Sequence, residues 1–238
     1  MKRAVEFYSE GFKLVGDIYV PDGLPSGEQR AAVLLCHGYT GVKDLYLPDN
    51  AKTLNDAGYV VMTFDYKGWG ESEGTRSRLA PYSRVADVQA AMTYLGMQPE
   101  ADADRIGLYG TSYGGATVSW TGAVDQRAKC IVSVVGIGHG ARWMSRVRRV
   151  DEWFDLQELS KEDREKRAST GESEYVDRSE ILLPDRQSAE LAAAARRNNP
   201  AANRETNHPV LHAELLALPG SRRHSRRAAQ RGQAARQF

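Results

Sequence analysis

RIGLYGTSYGGATVSW, Arg105 to Trp120, decides how the rest of the chain is read. Ile106–Tyr109 has the short apolar make-up of a core strand, and Tyr113–Gly122 is rich in small and apolar residues that suit a helix. Ser112 stands between them in Gly-Thr-Ser-Tyr-Gly. Roughly one random sequence in eight of this length and composition would contain G-x-S-x-G, so the pattern takes its weight from its flanks. A strand that turns sharply into a helix needs small residues on either side, here Gly110 and Gly114, with Gly115 easing helix packing. Such a turn lifts a hydroxyl above the sheet and aims the positive end of a helix at whatever reacts there. Ser112 is therefore the candidate nucleophile.

A second segment agrees with the first. AAVLLC (Ala31–Cys36) is a continuous apolar run, as expected of a strand buried on both faces, and it ends in HGYTG (His37–Gly41). A loop leaving that strand can offer backbone N–H groups to a developing oxyanion. Tyr39 and Tyr113 are the candidate donors, with the Tyr39 hydroxyl as a third. His37 reads as a brace for this loop rather than as a base.

Working outward, Val5–Tyr8 and Lys13–Val20 read as an N-terminal hairpin through Glu10-Gly11. Leu47–Ala57 reads as a helix ended by Gly58, and YVVMTF (Tyr59–Phe64) as a second buried strand. Pro81–Leu95 has helical spacing in Val85, Val88, Ala91, Met92 and Leu95, and CIVSVV (Cys130–Val135) is a further strand. Buried strands alternating with helices give an α/β fold with a doubly wound, mostly parallel sheet.

Composition bounds the function. The formal net charge of +1 gives no reason to expect nucleic acid as a partner, and no apolar run approaches the ~20 residues that span a bilayer. MKRAVEFYSE lacks the apolar core of a secretory signal. Cys36 and Cys130 read as buried free thiols, which fits a reducing, cytoplasmic setting. No cofactor or metal is implied, since His208 and His212 lack a third ligand.

HGYTG after AAVLLC, FDYKGWGESEG after YVV, and RIGLYGTSYGGA together resemble the α/β-hydrolase superfamily. They are similar to its capped serine esterase and peptidase members. The resemblance covers roughly residues 1–200. It implies an eight-stranded sheet in which the HG-bearing strand lies beside the serine-bearing one, with Cys36 and Cys130 two strands apart and beyond disulfide reach. It also implies a helical lid. On this reading residues 1–137 are the hydrolase core and 138–202 the lid or cap. Asp65 becomes a turn-stabilising carboxylate. Trp69, Trp143 and Trp153 line a pocket or simply pack. The implied activity is cleavage of a small-molecule carboxylic ester, or an amide or peptide bond, through an acyl-enzyme on Ser112. The alternative is an impaired hydrolase-like protein that binds a small molecule or partner.

That alternative arises from the C-terminus. The resemblance calls for an acid after a seventh strand and a histidine after an eighth. PVLHAELLAL (Pro209–Leu218) is too short for two strands, so strands seven and eight are expected to be missing and the triad acid and histidine stay unassigned. His139, His208, His212 and His224 read as surface or loop residues. Residues 203–238 hold seven Arg against two Glu, whereas the preceding residues hold 25 Lys and Arg against 29 Asp and Glu. This tail reads as disordered and as a frame-shifted or replaced sequence. Without further strands CIVSVV becomes a bare apolar edge, a surface for self-association.

Overall fold

Alternating apolar and polar residues make β1 (Lys2–Ser9) and β2 (Phe12–Tyr19), which pair antiparallel across Glu10-Gly11. Both turn residues have positive φ, the conformation that matches a tight turn to the twist of its strands. In the computed structural model, which describes residues 1–181, 190 and 207–209, the hairpin begins a six-stranded sheet. The other strands are β3 (Arg30–Cys36), β4 (Val60–Phe64), β5 (Ala101–Thr111) and β6 (Ala128–Val134). Their order is β1-β2-β4-β3-β5-β6. β2 joins β4 antiparallel, and β4, β3, β5 and β6 run parallel.

The helices between the parallel strands are α1 (Leu47–Asp56), α2 (Pro81–Gly96) and α3 (Tyr113–Val124). The continuous apolar runs of β3 and β4 are explained by burial on two faces. Leu34, Cys36 and Met62 share one cluster with Val88, Ala91, Met92 and Leu95 of α2, while Leu35 and Val61 pack with Leu47 and Ala51 of α1. Each fully buried Leu, Val or Met among them contributes roughly 1.5–3 kcal/mol.

The strand β6 departs from expectation. It is the outermost strand, and Ile131, Val132 and Val134 are 37 %, 43 % and 37 % exposed. Cys130 is exposed rather than buried, while Cys36 is buried; both are free thiols. An apolar run signals a strand but not how many neighbours it has, and among the described residues none pairs with the outer side of β6.

The chain divides into two compact units, residues 1–137 with 177–208, and residues 138–176 with 209–238. The described part of the second unit is mainly helical, with α4 (Gly140–Arg146) and α5 (Val150–Thr170). The Arg149 N–H donates to the Glu152 carboxylate at the start of α5, and Gly171 at φ 79 ends it. Asp163 is buried, pairs with Arg167 at 2.9 Å and accepts the Glu174 N–H at 2.7 Å. Two short strands, β7 (Tyr175–Asp177) and β8 (Asn207–Pro209), flank a single helical turn, α6 (Arg178–Ile181), in the order β7, α6, β8. The alanine-rich stretch 184–200, apart from Glu190, and the Arg-rich tail, apart from Asn207–Pro209, lie outside the described residues. No helix among the described residues is long and apolar enough to cross a membrane.

Candidate active site

Ser112 is the single residue between β5 and α3, at φ 55 and ψ −118. Few L-residues adopt a positive φ, and holding one there costs about 1–3 kcal/mol. The surrounding glycines make the turn possible. A Cβ on Gly110 would overlap the Gly114 carbonyl, one on Gly114 would overlap the Cys36 carbonyl, and one on Gly115 would lie 2.7 Å from Ser133 Oγ. The Ser112 backbone is pinned as well. Its N–H donates to the Val134 carbonyl (2.9 Å), and its carbonyl accepts from Ala116 (3.3 Å) and Ile137 (3.4 Å). The side chain is half-buried and caps no helix N–H, so the hydroxyl is not consumed by the turn.

The parallel register sets Cys36 opposite Gly110, so the loop leaving β3 emerges beside this turn. A Cβ on Gly38 would lie 3.2 Å from Ser112 Cβ and 3.7 Å from Ser112 Oγ. Tyr39 follows Gly38 directly, and Tyr113 is the first residue of α3. The two expected donors thus sit on the two segments that meet at Ser112.

His37 is buried and its Nδ1 lies 2.8 Å from the Gly38 carbonyl oxygen. A carbonyl only accepts, so Nδ1 carries the proton and the neutral ring braces its own loop. Burial, reinforced by the nearby Arg84 cation, holds the imidazole well below the ordinary histidine range. Gly41 leaves room for the ring, since a Cβ there would lie 3.1 Å from Nδ1.

Asp65 is likewise a loop organiser. Oδ1 accepts the Lys43 N–H at 2.6 Å, Oδ2 accepts the Glu71 N–H at 3.0 Å, and the Ser72 hydroxyl donates to its carbonyl. Burial pushes Asp65 up to about 7 against the pull of those donors. Trp69 is fully buried, with Nε1–H donating to the Arg78 carbonyl at 3.1 Å and its ring 5.9 Å from that of Tyr39. Trp143 and Trp153 are half-buried within the second unit.

Among the described residues no histidine is hydrogen-bonded to Ser112. His139 begins α4, where Nδ1 accepts the Arg142 N–H at 3.2 Å. His208 lies in β8, and His212 and His224 are outside the described residues. Among the described residues no group of three or more His, Cys, Asp or Glu is arranged to hold a metal ion.

One residue here was not singled out in the sequence. Arg84 of α2 is 2 % exposed, and its Nη2 donates to the carbonyls of His37 (3.1 Å) and Gly38 (3.4 Å). Its guanidinium carbon lies 3.7 Å from the Tyr66 ring centroid and 5.4 Å from that of Tyr113. The available signal was a cation within the apolar stripe of a helix, next to Val85 and one turn from Val88.

The family of serine aminopeptidases S33 matches residues 27–158, more than half the chain. An uncharacterised 31.7 kDa protein of Escherichia coli, from the traX-finO intergenic region, is 34 % identical over 182 residues. That match covers 76 % of this chain and 62 % of the relative. The thiohydrolase aneE of Aspergillus aculeatus is 36 % identical over 132 residues, 55 % of this chain and 40 % of its own. Among solved structures, the hypothetical protein PA2218 of Pseudomonas aeruginosa superimposes with a TM-score of 0.75 at 23 % identity, covering 92 % of this chain and 71 % of that one. The α/β hydrolase GrgF of Penicillium sp. sh18 does so with a TM-score of 0.69 at 21 % identity, covering 92 % and 73 %. The chain thus spans about two thirds or less of the length of the curated relatives named here.

Proposed function

Since the chain belongs to the serine aminopeptidase S33 family of α/β hydrolases, we propose that it is a serine hydrolase acting on a small-molecule carboxylic ester, or on an amide or peptide bond. The Ser112 hydroxyl attacks the carbonyl carbon and the tetrahedral oxyanion is met by the backbone N–H groups of Tyr39 and Tyr113. Collapse expels the alcohol or amine, and water then releases the acid from the acyl-enzyme. The observation that carries this reading is the strained conformation of Ser112, with its uncapped, half-buried hydroxyl beside Gly38. The thiohydrolase name of one relative agrees with acyl transfer from an activated carbonyl.

A second reading, a hydrolase-like binding protein, is favoured by one observation: His37, the histidine of the loop beside Ser112, is buried and committed to the Gly38 carbonyl. Unless a base reaches Ser112 from outside the described residues, the oxyanion donors alone sustain only a residual acceleration of about 10³–10⁴-fold over water.

Turnover of p-nitrophenyl esters of increasing acyl length separates the two. The hydrolase reading expects saturable release that Ser112→Ala lowers by at least about 10³-fold. Saturable binding of the esters without Ser112-dependent release would establish the binding reading.

A further inference from the structure

A buried guanidinium without an ion-pair partner among the described residues is costly, even with the Asp87 carboxylate near enough to act on it electrostatically. Arg84 Nε and Nη1 are buried with no hydrogen-bond partner among the described residues, and a hydrocarbon side chain of similar length would remove that penalty. What the arginine does instead is concentrated at one peptide.

Three donors converge on the Gly38 carbonyl oxygen: His37 Nδ1 at 2.8 Å, Arg84 Nη2 at 3.4 Å and the Gly41 N–H at 3.4 Å. That carbonyl belongs to the same planar unit as the Tyr39 N–H. In a trans peptide the two point in opposite directions, so fixing one fixes the other. A cation on the carbonyl also polarises the unit and makes its N–H a stronger donor. The same guanidinium lies over Tyr66 and beside the ring of Tyr113, the residue contributing the other proposed donor.

Building on the proposed role of the Tyr39 and Tyr113 amides, we infer that Arg84 is a positioning residue that orients and polarises the Gly38–Tyr39 peptide for oxyanion binding, through the Gly38 carbonyl. It touches no substrate atom. His37 Nδ1–H is the second jaw of the clamp, and the 3.3 Å contact between Arg84 Nη2 and His37 Nδ1 is one of two donors, which keeps the imidazole neutral.

The test compares the full-length protein with Arg84→Met and Arg84→Lys by thermal unfolding, rate of Ser112 labelling by a fluorophosphonate, and amide hydrogen exchange at Tyr39. The clamp predicts that Arg84→Met folds with unchanged or raised Tm and labels about 10- to 100-fold more slowly, with Tyr39 exchange about tenfold faster. Arg84→Lys, which keeps the charge but cannot span both carbonyls, should recover only part of the labelling rate. If Arg84→Met is folded and labels within threefold of the parent rate, the inference is overturned. Should Arg84→Met not fold, Arg84→Lys decides by the same criterion. If the parent protein itself is not labelled, the hydrolase reading fails, and Tyr39 exchange alone then judges the clamp. Unchanged exchange in the folded variant overturns it.

Discussion

Gly38 and Ser112 are in near-contact: a methyl group on Gly38 would stand 3.2 Å from Ser112 Cβ and 3.7 Å from its Oγ. The space above the hydroxyl is therefore kept open by a missing side chain. Gly38→Ala places a methyl where the tetrahedral intermediate is expected to form. We predict a fall in kcat/KM of about 10- to 100-fold for ester turnover, with Tm changed by only a few degrees. An alanine variant with parent-like kcat/KM would show that the reacting carbonyl does not occupy that space.

The glycines under the turn have a different role. A Cβ on Gly114 would overlap the Cys36 carbonyl, which is rigid backbone at the end of a core strand. Gly114→Ala should destabilise the fold by about 2–4 kcal/mol, in the upper range of single substitutions. Chemical unfolding would measure this directly. A loss below about 0.5 kcal/mol would mean that β3 and α3 are not packed as closely as described.

The end of α3 carries the clearest pH dependence. Asp125, its C-cap residue, is gripped by Arg127 through Nε at 3.0 Å and Nη2 at 2.6 Å, and it also accepts from Gln89. The Arg127 contact, with the other hydrogen bonds, lowers the carboxyl to about 2. A carboxyl depressed in the folded state adds stability that is complete above its unfolded value near 4 and is lost as pH falls toward 2. Arg127 is half-exposed, so solvent screening trims the gain to about 1–2 kcal/mol. Asp125→Asn should cost that much at pH 7 and flatten the decline in stability between pH 4 and 2. Parallel pH profiles for the two proteins would remove Asp125 from the account.

The two thiols should behave oppositely. Cys130 is exposed on the outer strand, whereas burial pushes Cys36 up to about 12. Titration of the native protein with a thiol reagent should modify one cysteine quickly, the second reacting only on unfolding. The outer side of β6, unpaired among the described residues, is also where we propose that a second copy pairs. Protection of Cys130 that rises with protein concentration is the expected signature, and equal reactivity at all concentrations would count against such pairing.

Much of the core fold is legible in the sequence. Apolar runs at Ala31–Cys36, Tyr59–Phe64 and Ile106–Tyr109 mark strands covered on both faces, and Gly58 follows the end of α1, whereas β5 continues past Gly110 to Thr111 before it turns. The meeting of His37–Gly41 with Ser112 followed from two parallel strands lying side by side. Arg84 was not legible, because helical periodicity identifies apolar positions and passes over a cation that buries itself against Tyr66. The exposure of Cys130 was misread because strand composition does not reveal which strand is outermost. The triad acid and base had no pattern to be read from, and the residues after Asn203 repeat none of the strand signals found earlier.

The central claim is that the geometry at position 112 yields an activated alcohol. Intact-mass measurement after incubation with a fluorophosphonate tests it most directly. The account predicts one adduct per chain, mapped to Ser112 and absent from Ser112→Ala. A folded parent protein that gains no mass, or an adduct that persists in Ser112→Ala, would contradict it.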